Sequence, residues 1–202
     1  MEKSIVKMES LAILVLAAGK SSRMKDIKQL LKINNKTLLE ITLETAKSVF
    51  SKNIFCVLGA NAEEIKKKTA TEDINYIFNK NFEQGLSSSI VSGVNYIQKN
   101  HTQYNAICIL LADQPDVNTE YLNELLTNHQ ENKEKIIASI YRKKIGVPAI
   151  FPKKYFNKLL SLKGDKGAKE ILNNNTLDIL IVSPNKSFID IDTPEDYQSY
   201  IK

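Results

Sequence analysis

At position 11 the chain enters an uninterrupted apolar run, LAILVLAA, and at Gly19 it leaves that run for a cationic loop, KSSRMKDIK, ending at Lys28. The apolar run has the length and composition of a buried strand. Its exit through Ala17, Ala18 and Gly19 is made of small residues, which let a ligand approach the backbone closely. Lys20, Ser21, Ser22, Arg23, Lys25 and Lys28 follow. A strand emptying into such a loop suits a polyphosphate: backbone N–H groups donate directionally, Arg23 grips as a fork and Lys28 adds a point charge. A surface turn with solvated charges has the same composition, and the stretch alone does not separate the two.

Downstream, strand and helix patterns alternate. Thr37 is placed to cap a helix through residue 49, with Glu40 at the capping-box position and Leu38, Leu39, Ile41, Leu43 and Ala46 as its apolar stripe. Residues 54–58 read as a second buried strand, 62–69 as a polar helix and 74–78 as a third strand. This β-loop-α-β-α-β cadence predicts an α/β, three-layer Rossmann-like fold with a mostly parallel central sheet and helices on both faces. Ligands in such folds bind beyond the carboxyl ends of the strands, where the opening loop lies. After the third strand come Asn79, then Gly85 and the serines 87, 88 and 89, which open an apolar-periodic helix. Ser87, Ser88 and Ser89 are ordinary helix caps or a donor-rich helix start suited to a phosphate or a base edge.

Residues 106–112, AICILLA, form the most apolar strand and are expected at the sheet centre, running straight into Asp113. An acid there faces the ligand crevice and suits Mg²⁺, a hard cation wanting oxygen ligands. Its other reading, as a helix cap, is weakened because Pro115 intervenes and Asn118 or Thr119 can cap the helix expected over residues 120–129. His101 and His129 sit in polar stretches and read as solvated. Further on are a strand at 136–141, a basic turn at 142–144, an extended segment at 146–152 and a helix at 153–162. A glycine-bracketed turn, Gly164 to Ala168, leads to a helix at 168–173 with Asp165 as its N-cap, followed by a strand at 177–182. Asp190 and Asp192 then precede a strong helix start, with Thr193 as cap and Pro194 at the first position. The cap accounts for Asp192; Asp190 has no local employment and is the better second metal ligand.

Composition removes several classes. At 202 residues, with 43% hydrophobic and 25% charged, the chain fits one domain (residues 1–202) and is neither disordered nor fibrous. The net charge of +5 is spread among interleaved acids, without the cation and aromatic clusters of a nucleic-acid binder. The longest apolar run is strand-sized, so no membrane span is expected, and the N-terminus is too polar for a signal peptide. Cys56 and Cys108 lie inside apolar strands without other ligands around them, as packing thiols, which points to a reducing cytoplasm.

Taken together, the segments resemble the nucleotidyltransferases that activate sugars and cofactors with an NTP, and most closely the molybdenum cofactor cytidylyltransferases. The likeness rests on residues 17–24 with Lys28-Gln29-Leu30-Leu31, on Asn79 with residues 85–89, and on residues 111–115. Gly146-Val147-Pro148, residues 164–168 and residues 190–196 match three later family segments. The resemblance implies transfer of CMP from CTP to the terminal phosphate of molybdopterin, with Mg²⁺ as cofactor and pyrophosphate as leaving product. Ala18 stands where related guanylyltransferases usually carry glycine, which points to CTP. Lys25 stands where the family commonly has glycine.

The implied roles follow the motifs. Arg23, Lys28 and Asp113 are catalytic, and Asp113 with Asp190 holds the metal. Ala17, Ala18, Gly19, Ser21, Ser22, Arg23, Lys28, Asn79, Gly85, Ser87 and Ser88 bind the nucleotide, making residues of about 11–115 the NTP side. Gly146, Pro148, Gly164, Asp165 and Gly167 wall the acceptor in the part from about 136 to 202, where Arg142 and Lys166 meet its phosphate. The implied partners are the NTP, molybdopterin and a molybdoenzyme or its chaperone. The alternatives within the fold are a guanylyltransferase on the same cofactor and a sugar- or alditol-phosphate enzyme; outside it, a non-catalytic nucleotide-binding cofactor chaperone.

Overall fold

The computed structural model describes residues 10–24, 26–50, 52–69, 71–141, 144–174 and 178–202; Lys25, Arg142 and Leu177 lie outside them. In chain order the elements are β1 (Leu11–Ala17), the small hairpin β2 (Lys32–Ile33) and β3 (Lys36–Thr37), α1 (Leu38–Phe50), β4 (Ile54–Leu58), α2 (Ala62–Lys68), β5 (Asn75–Phe78) and α3 (Leu86–Asn100). They continue with β6 (Ala106–Leu111), α4 (Thr119–Glu131), β7 (Ile136–Tyr141), β8 (Lys144–Pro152), α5 (Phe156–Leu160), α6 (Lys169–Leu172), β9 (Ile179–Val182) and α7 (Pro194–Tyr200).

All seven residues of β1 are buried. The strand lies between β4 and β6, parallel to both, in a seven-stranded sheet of order β5-β4-β1-β6-β8-β7-β9. A strand with neighbours on both edges and helices on both faces has no exposed side, which is why its sequence is continuous rather than alternating. Ile13 and Val15 face one core with Leu39 and Leu43 of α1 and Leu122 and Leu125 of α4. Leu14 and Leu16 face the other, with Ile90 and Val94 of α3 and Phe156 and Leu159 of α5. A Cβ on Gly93 would collide with the Leu14 side chain, so glycine lets α3 settle close onto β1.

Local signals hold where their chemistry is local. Glu40 N donates to Thr37 Oγ1 at 3.1 Å and Thr37 N donates to Glu40 at 2.8 Å, closing the expected capping box. Asn34 and Asn35, at φ 48° and 70°, make the two-residue turn between β2 and β3. Asn118 caps α4 through Tyr121 N, which leaves Asp113 free of that duty. Cys56 and Cys108 are fully buried free thiols, and burial pushes the Cys108 pKa up to about 12.

Other expectations need correction. Residues 153–162 are not one helix: a 3-10 turn at Lys153–Tyr155 precedes the five-residue α5. Asp165 is not the cap of α6, whose N-cap is Ala168 with no side-chain bond. His101 is not simply solvated; its ring lies 5.0 Å from that of Phe55 and 5.9 Å from that of Tyr104. His129 is half-buried, and burial together with Lys133 holds its pKa below the usual histidine value. Strand β8 runs antiparallel to both β6 and β7, pairing Ile109 with Ala149. Its amino-terminal end therefore lies beside the carboxyl end of β6. Among the described residues no helix is long and apolar enough to cross a membrane.

Candidate functional site

A cleft of about 660 Å³ opens at the carboxyl edge of β1 and β6, within the usual size of a ligand site. It is lined by Ala17, Ala18, Gly19, Lys20, Ser21, Ser22, Arg23 and Lys28 from the opening loop, and by Asp113 after β6. Asp190 and Asp192 from the approach to α7 complete this wall, and Tyr141, Val147, Asp165, Lys166 and Lys169 face it from the second half of the chain.

The loop is held from behind. Gln29, 4% exposed, donates through its amide nitrogen to the carbonyls of Ala17 (2.8 Å) and Gly19 (3.0 Å) and accepts from Ser21 Oγ (3.3 Å). Ala60 N donates to the carbonyl of Ala18 at 3.3 Å. The N–H groups of residues 19–23 have no acceptor among the described residues. Carbonyls claimed by protein beside a row of unclaimed N–H groups make a surface suited to an anion.

Across the cleft, Lys28 Nζ lies 2.6 Å from Asp113 Oδ2 and 2.9 Å from Asp192 Oδ1, and Arg23 reaches Asp192 Oδ2 at 3.3 Å. Backbone bonds set this group in place. Lys28 N donates to Ser21 Oγ at 3.0 Å, Ala112 N to Leu16 O at 3.2 Å, and Ile191 N to Asp113 O at 3.0 Å. Ile191 is fully buried, and its two neighbours, Asp190 and Asp192, both line the cleft. Burial works against the Lys28 ammonium, yet attraction to and hydrogen bonds with Asp113 and Asp192 outweigh it and hold its pKa above the ordinary lysine value. Asp113 is pushed up by burial, against the pull of Lys28, with Asp190 and Asp192 adding to the rise.

Asp113 Oδ1 is buried with no hydrogen-bond partner. An orphaned carboxylate oxygen beside two further acids fits a hard cation. Among the described residues no group of three or more His, Cys, Asp or Glu is arranged to hold a metal by itself. Such an ion would take the rest of its oxygens from phosphates and water.

The employment inferred for the two late acids is reversed. Asp190 Oδ1 accepts from Gln114 Nε2 at 2.7 Å, whereas Asp192 turns its carboxylate to Lys28 and Arg23. The cap of α7 is satisfied by Thr193 and Asp196, without the Asp192 side chain. Asn79, Ser87 and Ser88 do not line the cleft, whereas Ser89 and Gly85 do. Asn79 donates to Ser88 Oγ (2.9 Å) and Ser89 Oγ (3.1 Å), and Ser87 is fully buried with its hydroxyl bonded to Lys163 O and Gly167 N. These residues shape the wall instead of offering free donors. Gly146, Pro148, Gly164 and Gly167 likewise do not line the cleft, whereas Val147, Asp165 and Ala168 do. Sequence reading gave no role to Gln29 or Gln114. The signal available was a polar side chain inside an apolar or family-matched stretch.

Residues 13–179 match the family described as the MobA-like NTP transferase domain. Purine catabolism protein PucB of Bacillus subtilis is 29% identical over 197 residues, covering 90% of this chain and 91% of that one. Bifunctional protein GlmU of Buchnera aphidicola is 28% identical over 143 residues, covering 70% of this chain and 30% of GlmU, so the chain spans less than a third of that relative's length. The crystal structure of Rv0371c from Mycobacterium tuberculosis superposes with a TM-score of 0.83 at 25% identity, covering 95% of this chain and 97% of that one. Rv0371c is also described in complex with manganese (TM-score 0.80, 24% identity, covering 95% and 98%).

Proposed function

This chain belongs to the MobA-like NTP transferase family, and on that premise we propose that it transfers CMP from CTP to the terminal phosphate of molybdopterin, releasing pyrophosphate. The observation that carries the reading is the Lys28 ammonium held between Asp113 and Asp192 beside a loop with a row of unclaimed N–H groups. Residues of about 11–115 form the NTP side and those of about 136–202 the acceptor side.

The loop N–H groups and Arg23 receive the β- and γ-phosphates, and Lys28 neutralises charge as pyrophosphate leaves. Attacking and leaving groups are both anionic, so positioning and charge stabilisation are the work required, and no protein nucleophile is needed. An oxygen of the acceptor phosphate attacks the α-phosphorus in line with the departing β-phosphate oxygen. Ala18, 4% exposed on the cleft surface, sets the room beside the base. Val147, Asp165 and Ala168 border the acceptor, with Lys166 meeting its phosphate. Asp113, with Asp192 or Asp190, would hold Mg²⁺, which when bound neutralises phosphate charge and polarises the α-phosphorus.

Calorimetric titration with CTP, GTP, UTP and ATP in Mg²⁺ tests the base. Incubation of the preferred NTP with molybdopterin then tests the reaction through pyrophosphate release and the mass of the product. Preference for GTP removes the role given to Ala18, and CTP binding without pyrophosphate release makes the protein a carrier.

A further inference from the structure

Gln29 stands out because its side-chain hydrogen bonds among the described residues all go to one loop. It is 4% exposed, and its bonds run to the carbonyls of Ala17 and Gly19 and from the hydroxyl of Ser21. The next residue back, Lys28, donates its backbone N–H to the same Ser21 hydroxyl. Residues 28–29 and 17–21 thus form a closed clasp. Within it Ser21 holds φ 56°, a left-handed conformation that a non-glycine residue adopts only when its surroundings insist.

The clasp has an electrostatic consequence. A peptide group that turns over exchanges its N–H for its C=O on the surface it faces. With the carbonyls of Ala17 and Gly19 drawn onto the Gln29 amide, those partial negative charges are held at the back of the loop. The N–H groups of residues 19–23 are left for a ligand. If either carbonyl turned to the cleft, it would repel a triphosphate at the place where donors are needed.

We propose that Gln29, at the edge of the cleft, is a positioning residue that holds the carbonyls of Ala17 and Gly19 away from the triphosphate and so sets the polarity of the loop. The inference rests on the proposed NTP site and specifies how its loop is kept competent. Its mark is selectivity: loss of the clasp weakens ligands in proportion to the phosphates they place on the loop.

The test uses the full chain and two variants, Gln29→Met, which keeps the volume without a donor, and Gln29→Glu, which faces two carbonyls with acceptors. Dissociation constants for CTP and CMP are measured by calorimetry, alongside thermal melting. Loss of two hydrogen bonds that orient the loop is expected to weaken CTP roughly tenfold in Gln29→Met and more in Gln29→Glu, with CMP changed less than about twofold. A variant that melts earlier yet keeps the wild-type ratio of CTP to CMP affinity shows a purely structural role and overturns the inference. So does a variant that binds both ligands like wild type. Wild-type protein that binds CTP no better than CMP overturns the NTP site itself, and the inference with it.

Discussion

Lys28 Nζ lies 2.6 Å from Asp113 Oδ2, joining two positions 85 residues apart across the mouth of the cleft. The same ammonium reaches Asp192 at 2.9 Å, so it sits between two of the carboxylates proposed for a metal. A divalent cation and an ammonium drawn to the same carboxylates repel each other, so each weakens the other's hold. Lys28→Met is expected to lower pyrophosphate release by about 100-fold or more while tightening Mn²⁺ binding to the nucleotide-free protein. Arg23→Ala serves as the control: it removes an exposed charge that pairs with Asp192 at 3.3 Å, and should tighten Mn²⁺ much less. Electron paramagnetic resonance of free Mn²⁺ reads both. Equal Mn²⁺ affinity in Lys28→Met and wild type would show that the ammonium is no rival to the ion.

Acid should weaken the fold through the last helix. The Thr193 hydroxyl bound to Asp196 holds that carboxyl below the usual carboxylate range, and the N–H groups of residues 192 and 193 add to it. Partial burial works upward on Asp192, but Lys28 and Arg23 outweigh it, so its pKa is lowered too. A depressed folded pKa means stability that is present above the unfolded value, about 4, and lost as pH falls through the folded one. Lys28 has the opposite sign: its contribution is complete below 10.5 and lost as pH rises beyond its raised folded value. Asp113, raised by burial, favours the folded state when protonated and so offsets part of the acid loss. Melting temperature followed from pH 3 to 8 should fall towards the acid end, less steeply in Asp196→Asn than in wild type. Identical slopes would remove Asp196 from the account. At neutral pH, Thr193→Ala should lower stability by about 1 kcal/mol, the usual loss for a helix cap.

The fold was legible because its strongest signals are local. Continuous burial of β1 forces apolar residues at every position, and the Thr37 and Thr193 caps are written within four residues of sequence. The site divides differently. Its loop and Asp113 sit at strand ends, where topology fixes which side of the sheet they reach. Local pattern ranks Asp190 above Asp192, yet what distinguishes their surroundings is nonlocal: Gln114, 76 residues from Asp190, occupies one, and Lys28, 164 residues from Asp192, occupies the other. Gln29 and Ser87 were missed as supports for the same reason, since a side chain bonded to distant main chain leaves no periodic trace in the sequence.

In the proposed reaction, Ala18 would tie base choice to one methyl group. Its carbonyl is pinned by Ala60 N at 3.3 Å, so the residue has little freedom to move away from a larger base. Removing the methyl in Ala18→Gly opens that space. One methylene-sized difference in a pocket discriminates by about 10- to 200-fold. The variant should therefore gain GTP affinity by about tenfold relative to CTP, measured by competition calorimetry. An unchanged GTP-to-CTP ratio would place base selection elsewhere in the cleft.

Ser87 staples the start of α3 to the turn that leads into α6. Its N–H donates to Gly164 O at 3.0 Å, its hydroxyl donates to Lys163 O at 3.1 Å, and Gly167 N donates back to that hydroxyl at 3.2 Å. Two residues earlier, Gly85 holds φ 92°, and a Cβ there would collide with Asp165 and the Gly164 backbone. The start of α3 and the turn at residues 164–168 are therefore packed main chain to main chain, with Asp165 and Lys166 on the cleft surface. Ser87→Ala leaves the buried Gly167 N–H without its partner, removes the bond to the Lys163 carbonyl, and should destabilise by about 1–3 kcal/mol. Gly85→Ala adds strain at a glycine conformation to a steric clash, and should destabilise more. Urea unfolding measures both. In steady-state assays Ser87→Ala should raise KM for the acceptor several-fold more than KM for CTP, because the turn loosens while the loop at residues 17–23 stays clasped. Equal changes in the two KM values would mean that the turn at residues 164–168 does not wall the acceptor, and the acceptor side would have to be sought nearer Tyr141 and Val147.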